Sequence, residues 1–179
     1  TLIVELMGKH SNIIFCNRDG KIIDSIKHVS SVMSSLREVL PGRDYCIPAT
    51  QEDRLNPLEV TEEAFMESVM KRPFSITKAL YSSFTGLSPL LASEICFRSS
   101  IDGDMPVDSL DANGKKHLFN NFTWIMDDIK NHNYRPNIVF RGKEPIDFSC
   151  ILLTQFADYE TREYSSISNV LEEYYASRN

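Results

Sequence analysis

The chain has 179 residues, 42% of them apolar and 25% charged, with a formal net charge of −6 at pH 7. That length can bury a substantial core as one domain or two small ones, and the composition excludes the disordered and fibrous classes. The acidic balance excludes a strong autonomous phosphate-gripping protein unless charge is segregated along the chain, and no apolar run approaches the ~20 residues that cross a membrane as a helix.

The first 28 residues predict a three-stranded antiparallel meander. The chain enters strand sequence at once, with Leu2, Val4 and Leu6 alternating against Ile3, Glu5 and Met7. No signal peptide precedes this strand, so the chain reads as cytoplasmic and as cut from something longer. Gly8-Lys9-His10-Ser11 is a turn, and Asn12 to Asn17 forms the next strand around Ile13, Ile14 and Phe15. Asp19-Gly20 is a hairpin dipeptide, because both residues tolerate positive φ. Lys21 to His28 supplies the third strand through Ile22, Ile23 and Ile26.

From Ser30 to Pro57 the pattern is broken by Pro41-Gly42, Pro48 and Asn56-Pro57, which predicts an irregular, extended connector. At Thr61 the period becomes helical. Thr61 can cap a helix with Glu62 and Glu63 at its positive dipole end and Phe65, Met66, Val69 and Met70 as its buried stripe. Ser75 can cap a second helix carrying Ile76, Ala79, Leu80 and Phe84, ending at Gly86. Ser88-Pro89 starts a third, with a capping hydroxyl and a proline pre-set for the first turn, running to about Arg98. The clearest helix follows, with Leu118, Phe122, Ile125 and Ile129 at spacings of three and four. Gly114 weakens its start by about 1 kcal/mol relative to alanine.

After Pro136 strands return at Asn137 to Arg141 and Ile146 to Leu153, and Ser168 to Ala176 starts a final helix too short to stand alone. The fold class is therefore α+β. Residues 1–58 form a β meander with its connector, 59–134 an inserted helical domain, 135–164 a β-hairpin returning to the sheet, and 165–179 the start of a coiled-coil helix.

Catalytic and metal constellations are scarce. The sequence holds no Gly-x-Gly-x-x-Gly, P-loop, His-Glu-x-x-His or Gly-x-Ser-x-Gly. His10, His28, His117 and His132 are dispersed, and Cys16, Cys46, Cys96 and Cys150 make no metal-ligand pair, which fits reduced cytosolic thiols. No enzymatic activity, cofactor or metal is expected. Two turns remain as candidates. A helix–turn–helix around Gly86 and Ser88 can set backbone N–H groups and a helix start against a phosphate, or can simply pack. The Lys9-His10-Ser11-Asn12 tip carries a charge and several hydrogen-bonding groups that could position an RNA backbone, or can serve turn geometry alone.

The segment Gly86-Leu87-Ser88-Pro89-Leu90-Leu91-Ala92-Ser93-Glu94-Ile95-Cys96-Phe97-Arg98 resembles the helix–two-turn–helix of formamidopyrimidine-type DNA glycosylases. It departs from that pattern at Ser88 and Pro89, where the family has its second glycine and a phosphate-contacting asparagine; glycosylase activity is therefore not expected. A broader resemblance covers nearly the whole chain. Leu2-Ile3-Val4-Glu5-Leu6-Met7-Gly8-Lys9-His10-Ser11-Asn12-Ile13-Ile14 is similar to a signature of the NFACT (FbpA–RqcH) family. Ile22 to His28, Leu40 to Tyr45, Gly86 to Leu90 and Phe148 to Thr154 follow in that family's order. The resemblance implies a non-enzymatic factor of ribosome-associated quality control, with the large ribosomal subunit and tRNA as partners and alanine tailing of stalled chains as the outcome. The candidate RNA contacts are Lys9, His10, Ser11, Asn12, Gly86 and Ser88 of the two turns, with no membrane partner. The alternative it carries is a surface adhesin for fibronectin or fibrinogen. The family's Asp-Arg pair belongs upstream of Leu2, so that role is not given to Asp53-Arg54.

Overall fold

The computed structural model describes residues 1–33, 37–47 and 54–176. The chain divides into two compact units, Thr1–Glu52 and Asp53–Asn179.

In the first unit, β1 (Leu2–Glu5), β2 (Asn12–Cys16) and β3 (Ile22–Ser25) form an antiparallel sheet in the order β1-β2-β3. The Asp-Gly turn is fixed by Asn17, whose Oδ1 accepts the N–H groups of Asp19 and Lys21, both at 2.9 Å, while Gly20 takes φ +81°. The inward face carries Ile14, Cys16 and Ile22, closed by Val39 from the connector, all at or below 2% exposure. Val39 is held there by a two-hydrogen-bond bridge to Val29.

The β1 alternation has the opposite sense from simple hydrophobicity. Leu2 and Val4 pair across the strands with Phe15 and Ile13 on an exposed face, while Glu5 is buried. Arg37 explains the choice. It meets the Glu5 carboxylate through two nitrogens at 2.7 and 2.5 Å, and Tyr45 Oη donates to the same carboxylate at 3.0 Å. A buried carboxylate is tolerated only when paired and hydrogen-bonded in this way. The Arg37 bond, joined by that of Tyr45, outweighs burial and holds Glu5 below the ordinary glutamate range.

The second unit is built on α1 (Glu62–Ala64), α2 (Ile76–Ser83), α3 (Pro89–Arg98) and α4 (Ala112–Lys130). Thr61 caps α1, its Oγ1 accepting from Ala64 N–H at 3.2 Å. The helix then widens into a π turn over Phe65–Val69, which periodicity did not announce. That turn buries Phe65 against Phe84, Phe119 and Phe122, with ring centroids 5.1 to 6.1 Å apart. Fully burying each such side chain is worth about 1.5–3 kcal/mol.

Helix α2 departs from expectation at both ends. The Ser75 side chain makes no cap bond; instead the N–H groups of Ile76 and Thr77 donate to the carbonyls of Met105 and Gly103, both at 2.9 Å. At the other end Phe84 is already extended. The backbone of Leu55 intervenes, donating to Ser83 and accepting from Thr85, so the helix stops before Gly86. Helix α4 starts cleanly despite Gly114, because Asp111 Oδ1 accepts that glycine's N–H at 2.7 Å.

The hairpin of β4 (Asn137–Arg141) and β5 (Glu144–Ser149) does not return to the first sheet. It forms a second three-stranded sheet in the order β5-β4-β6, with β6 spanning Glu160–Glu163. The β6 sequence Glu-Thr-Arg-Glu has no apolar alternation, so it gave no strand signal. Helix α5 (Ile167–Ala176) lays Val170 and Tyr174 on this sheet beside Ile138 and Phe140. Packing, not length, thus orders the short terminal helix.

Candidate functional site

The two turns singled out in the sequence lie in different units. In the first, the β1–β2 connection tightens into a single 3-10 turn over Gly8–His10, with Gly8 at φ +55°. Ser11 closes it by accepting Met7 N–H on Oγ at 2.9 Å. Lys9 and His10 are exposed at its tip.

Asn12 behaves differently from its neighbours. It is 5% exposed, and its amide is spent on the backbone of β3's continuation: Nδ2 donates to Lys27 carbonyl at 2.8 Å, and Oδ1 accepts Lys27 N–H at 2.9 Å. Bonded to Lys27 through both its donor and its acceptor, it fixes the position of Lys27. The Lys27 side chain then reaches back, Nζ donating to Lys9 carbonyl at 3.0 Å. Lys27 is exposed, so the tip gathers the cations Lys9 and Lys27 with His10 beside them. Sequence reasoning missed Lys27. The signal was available in the antiparallel meander, which brings the end of the third strand beside the first turn.

Charge is also segregated along the chain. Residues 1–52 set Lys9, Arg18, Lys21, Lys27, Arg37 and Arg43 against Glu5, Asp19, Asp24, Glu38, Asp44 and Glu52, so the whole charge of −6 falls on residues 53–179. His28 at the end of the meander is engaged by Asp24, Nε2 to Oδ1 2.8 Å, and that contact holds Asp24 below its usual range.

The second candidate is the turn between α2 and α3. Gly86 takes φ +76° and is exposed, with nothing within 4 Å of where a Cβ would stand. Ser88 Oγ accepts Leu91 N–H at 3.1 Å, and Pro89 occupies the first helical position. One early donor of α3 is thus internally spent and another does not exist, which leaves the helix start little to offer a phosphate.

What α3 does hold is a buried anion. Glu94 is fully buried and accepts from Arg98 Nε at 2.7 Å, Thr154 N–H at 3.0 Å, Thr154 Oγ1 at 2.6 Å and Gln155 N–H at 3.0 Å. Arg98 Nη2 donates onward to Leu152 carbonyl at 2.5 Å. Glu94 and Arg98 therefore clamp α3 to the segment 152–155 that follows β5. Cys96 on the same helix is buried, and burial pushes its thiol up.

The family described as NFACT N-terminal and middle domains matches residues 1–179. The Rqc2 homolog RqcH of Bacillus subtilis is 35% identical over 176 residues, covering 97% of this chain and 28% of that protein. The crystal structure of the fibrinogen binding protein from Staphylococcus aureus superposes with a TM-score of 0.72 at 29% identity, covering 97% of this chain and 58% of the other. The N-terminal part of the fibronectin/fibrinogen-binding protein from Streptococcus suis gives a TM-score of 0.66 at 29% identity, covering 98% and 56%. The chain thus spans about a quarter of the Bacillus relative's length and somewhat over half of each solved chain.

Proposed function

The chain belongs to the NFACT N-terminal and middle-domain family, and from that premise we propose that it is a non-catalytic RNA-contacting module of a ribosome quality-control factor. Its partners in this reading are the large ribosomal subunit and tRNA, and the process served is alanine tailing of stalled nascent chains. The observation that carries the reading is the convergence of Lys9, His10 and Lys27 at one hairpin tip, in the part of the chain free of net negative charge. Lysine ammonium groups on a rigid turn are suited to phosphate oxygens, which position an RNA without reading its sequence. Asn12 supplies the rigidity, acting as a positioning residue for Lys27. We assign the contact to this tip in preference to the Gly86–Ser88 turn, where the Ser88 hydroxyl already takes up the Leu91 N–H and Pro89 has no N–H to offer. The kinship with an Rqc2 homolog supplies the context.

The test is co-sedimentation with 50S subunits. The double variant Lys9→Glu, Lys27→Glu should lower occupancy several-fold and flatten its salt dependence, since each lost phosphate contact removes about 0.7–0.9 from the slope of log affinity against log salt. Unchanged occupancy with an unchanged slope would refute the assignment.

A second reading is favoured by the solved relatives, which are described as fibrinogen and fibronectin/fibrinogen binding proteins. There the chain would act at the cell surface. Immobilised fibrinogen that retains the chain, together with its removal from intact cells by external protease, would favour that reading; full protection from the protease would exclude it.

A further inference from the structure

A groove of about 330 Å³ opens in the second unit between the end of α4 and the segment after β5, bounded by Arg98, Asp128, Asn133 and Arg135 over Ile151 and Leu152. Its polar rim is fixed by the way α4 ends. His132 takes φ +58°, its N–H donates to Ile129 carbonyl at 3.2 Å, and Asn133 N–H donates to Asp128 carbonyl at 2.8 Å. This is a Schellman ending, which sets Asp128 and Asn133 side by side.

Several groups on this rim are unused. Arg98 spends Nε and Nη2 on Glu94 and on Leu152 carbonyl, and Arg135 spends Nε and Nη2 on Glu163 at 2.9 and 2.5 Å. Among the described residues, neither arginine's Nη1 has a protein acceptor, and no protein group bonds the Asp128 carboxylate or the Asn133 side-chain amide.

Charge decides what can fill the groove. Two guanidinium groups stand against the carboxylates of Glu94, Glu163 and Asp128, and the carboxyl end of α4 adds negative potential. No positive surplus is left to hold a bare phosphate. The rim suits a neutral group that accepts hydrogen bonds from arginine or amide N–H on one side and donates to a carboxylate on the other. In RNA such a group is the edge of an unpaired base, the element that proteins read in single strands. Guanine matches best: its N1–H and N2–H donors are adjacent and can meet both carboxylate oxygens, while O6 and N7 accept from arginine. We infer that this groove binds an unpaired guanine of an RNA strand, with Asp128 accepting from N1–H and N2–H and the free Nη1 groups of Arg98 and Arg135 donating to O6 and N7. The volume sits at the small end of ligand sites, as a single base requires. The inference rests on the RNA-contacting reading above and adds a sequence-reading site to it.

The experiment is titration of the chain with GMP, AMP and CMP, followed by NMR shifts of the amides of residues 128–135. GMP should bind about ten-fold more tightly than either competitor, the discrimination that one good bidentate contact gives. Asp128→Ala and Arg135→Ala should each bring the three nucleotides to parity while leaving the circular dichroism spectrum unchanged, since Arg135 is exposed and Asp128 only half-buried. Equal affinities in the unaltered chain, or a GMP preference that survives Asp128→Ala, would overturn the inference. The Lys9→Glu, Lys27→Glu variant separates it from the broader reading. A GMP preference without any tRNA or subunit binding would sustain the groove and defeat the tip; tRNA binding without GMP preference would do the reverse.

Discussion

Replacing Glu94 by glutamine should loosen the second unit far more than any exposed substitution in it. The Glu94 carboxylate is fully buried and is met from several directions, by Arg98 Nε, by the N–H and hydroxyl of Thr154 and by the N–H of Gln155. A glutamine keeps one acceptor oxygen and puts an NH2 where those donors point. At least one charge-assisted bond, worth about 1.5–3 kcal/mol, is lost, and an N–H left facing another donor costs about 1–3 kcal/mol more. The total of about 2.5–6 kcal/mol brackets the usual cost of about 3–5 kcal/mol for breaking a buried ion pair. Against a domain stability of about 5–15 kcal/mol this is a large fraction. The assay is guanidinium denaturation followed by far-UV circular dichroism. Among the described residues every α-helix lies between Glu62 and Ala176, so the helical signal reports the second unit. Arg98→Ala, which strands the carboxylate, should cost a similar amount. A loss below about 1 kcal/mol for Glu94→Gln would refute the claim that this anion clamps α3.

In the first unit, Arg37→Ala should cost about 3–5 kcal/mol by leaving the buried Glu5 carboxylate unpaired, measurable as lost amide-exchange protection in β1 and β2. Because Glu5 titrates below its ordinary value when folded, its contribution is complete above the unfolded glutamate pKa of about 4.3. It is lost as pH falls through the lower folded value. Protection of the first sheet should therefore weaken below about pH 4, and Glu5→Gln should reduce that pH dependence, leaving the part that Asp24 carries; an unaltered pH profile in the variant would contradict the pairing. Gly86→Ala should cost about 1–2 kcal/mol from its positive φ alone, since the surrounding space is open, and a neutral change in thermal melting would show that the turn relaxes freely. Gly103→Ala should cost about 1–3 kcal/mol by overpacking, as its Cβ would overlap Thr77 Oγ1 and press on Cys96 Sγ; an unshifted melting temperature would refute that contact.

Much of this architecture was legible because local chemistry and tertiary packing agree. Asp19-Gly20 set the β2–β3 hairpin, and Ser88-Pro89 set the start of α3, with the cap bond to Leu91 present. The apolar stripe of α4 predicted the burial of Leu118, Phe122 and Ile125. What escaped depended on contacts distant in sequence. β6 is a polar edge strand specified by pairing with β4, and α2 is capped by the carbonyls of Gly103 and Met105 rather than by Ser75. At the candidate site, composition marked Lys9 and His10 as exposed tip residues, but hydrophilicity alone could not tell that Asn12 is buried and used. Nor could it tell that Lys27, eighteen positions beyond Lys9, comes back to join it.

The central claim is that RNA meets this protein at the β1–β2 hairpin tip. Photocrosslinking tests it most directly, with a benzophenone amino acid placed at position 9 and, as a control, at exposed position 71 in the second unit, which does not line the groove. Irradiation with 50S subunits carrying tRNA should yield RNA adducts from position 9 and few from position 71. Adducts absent from position 9, or formed equally from both, would contradict the account.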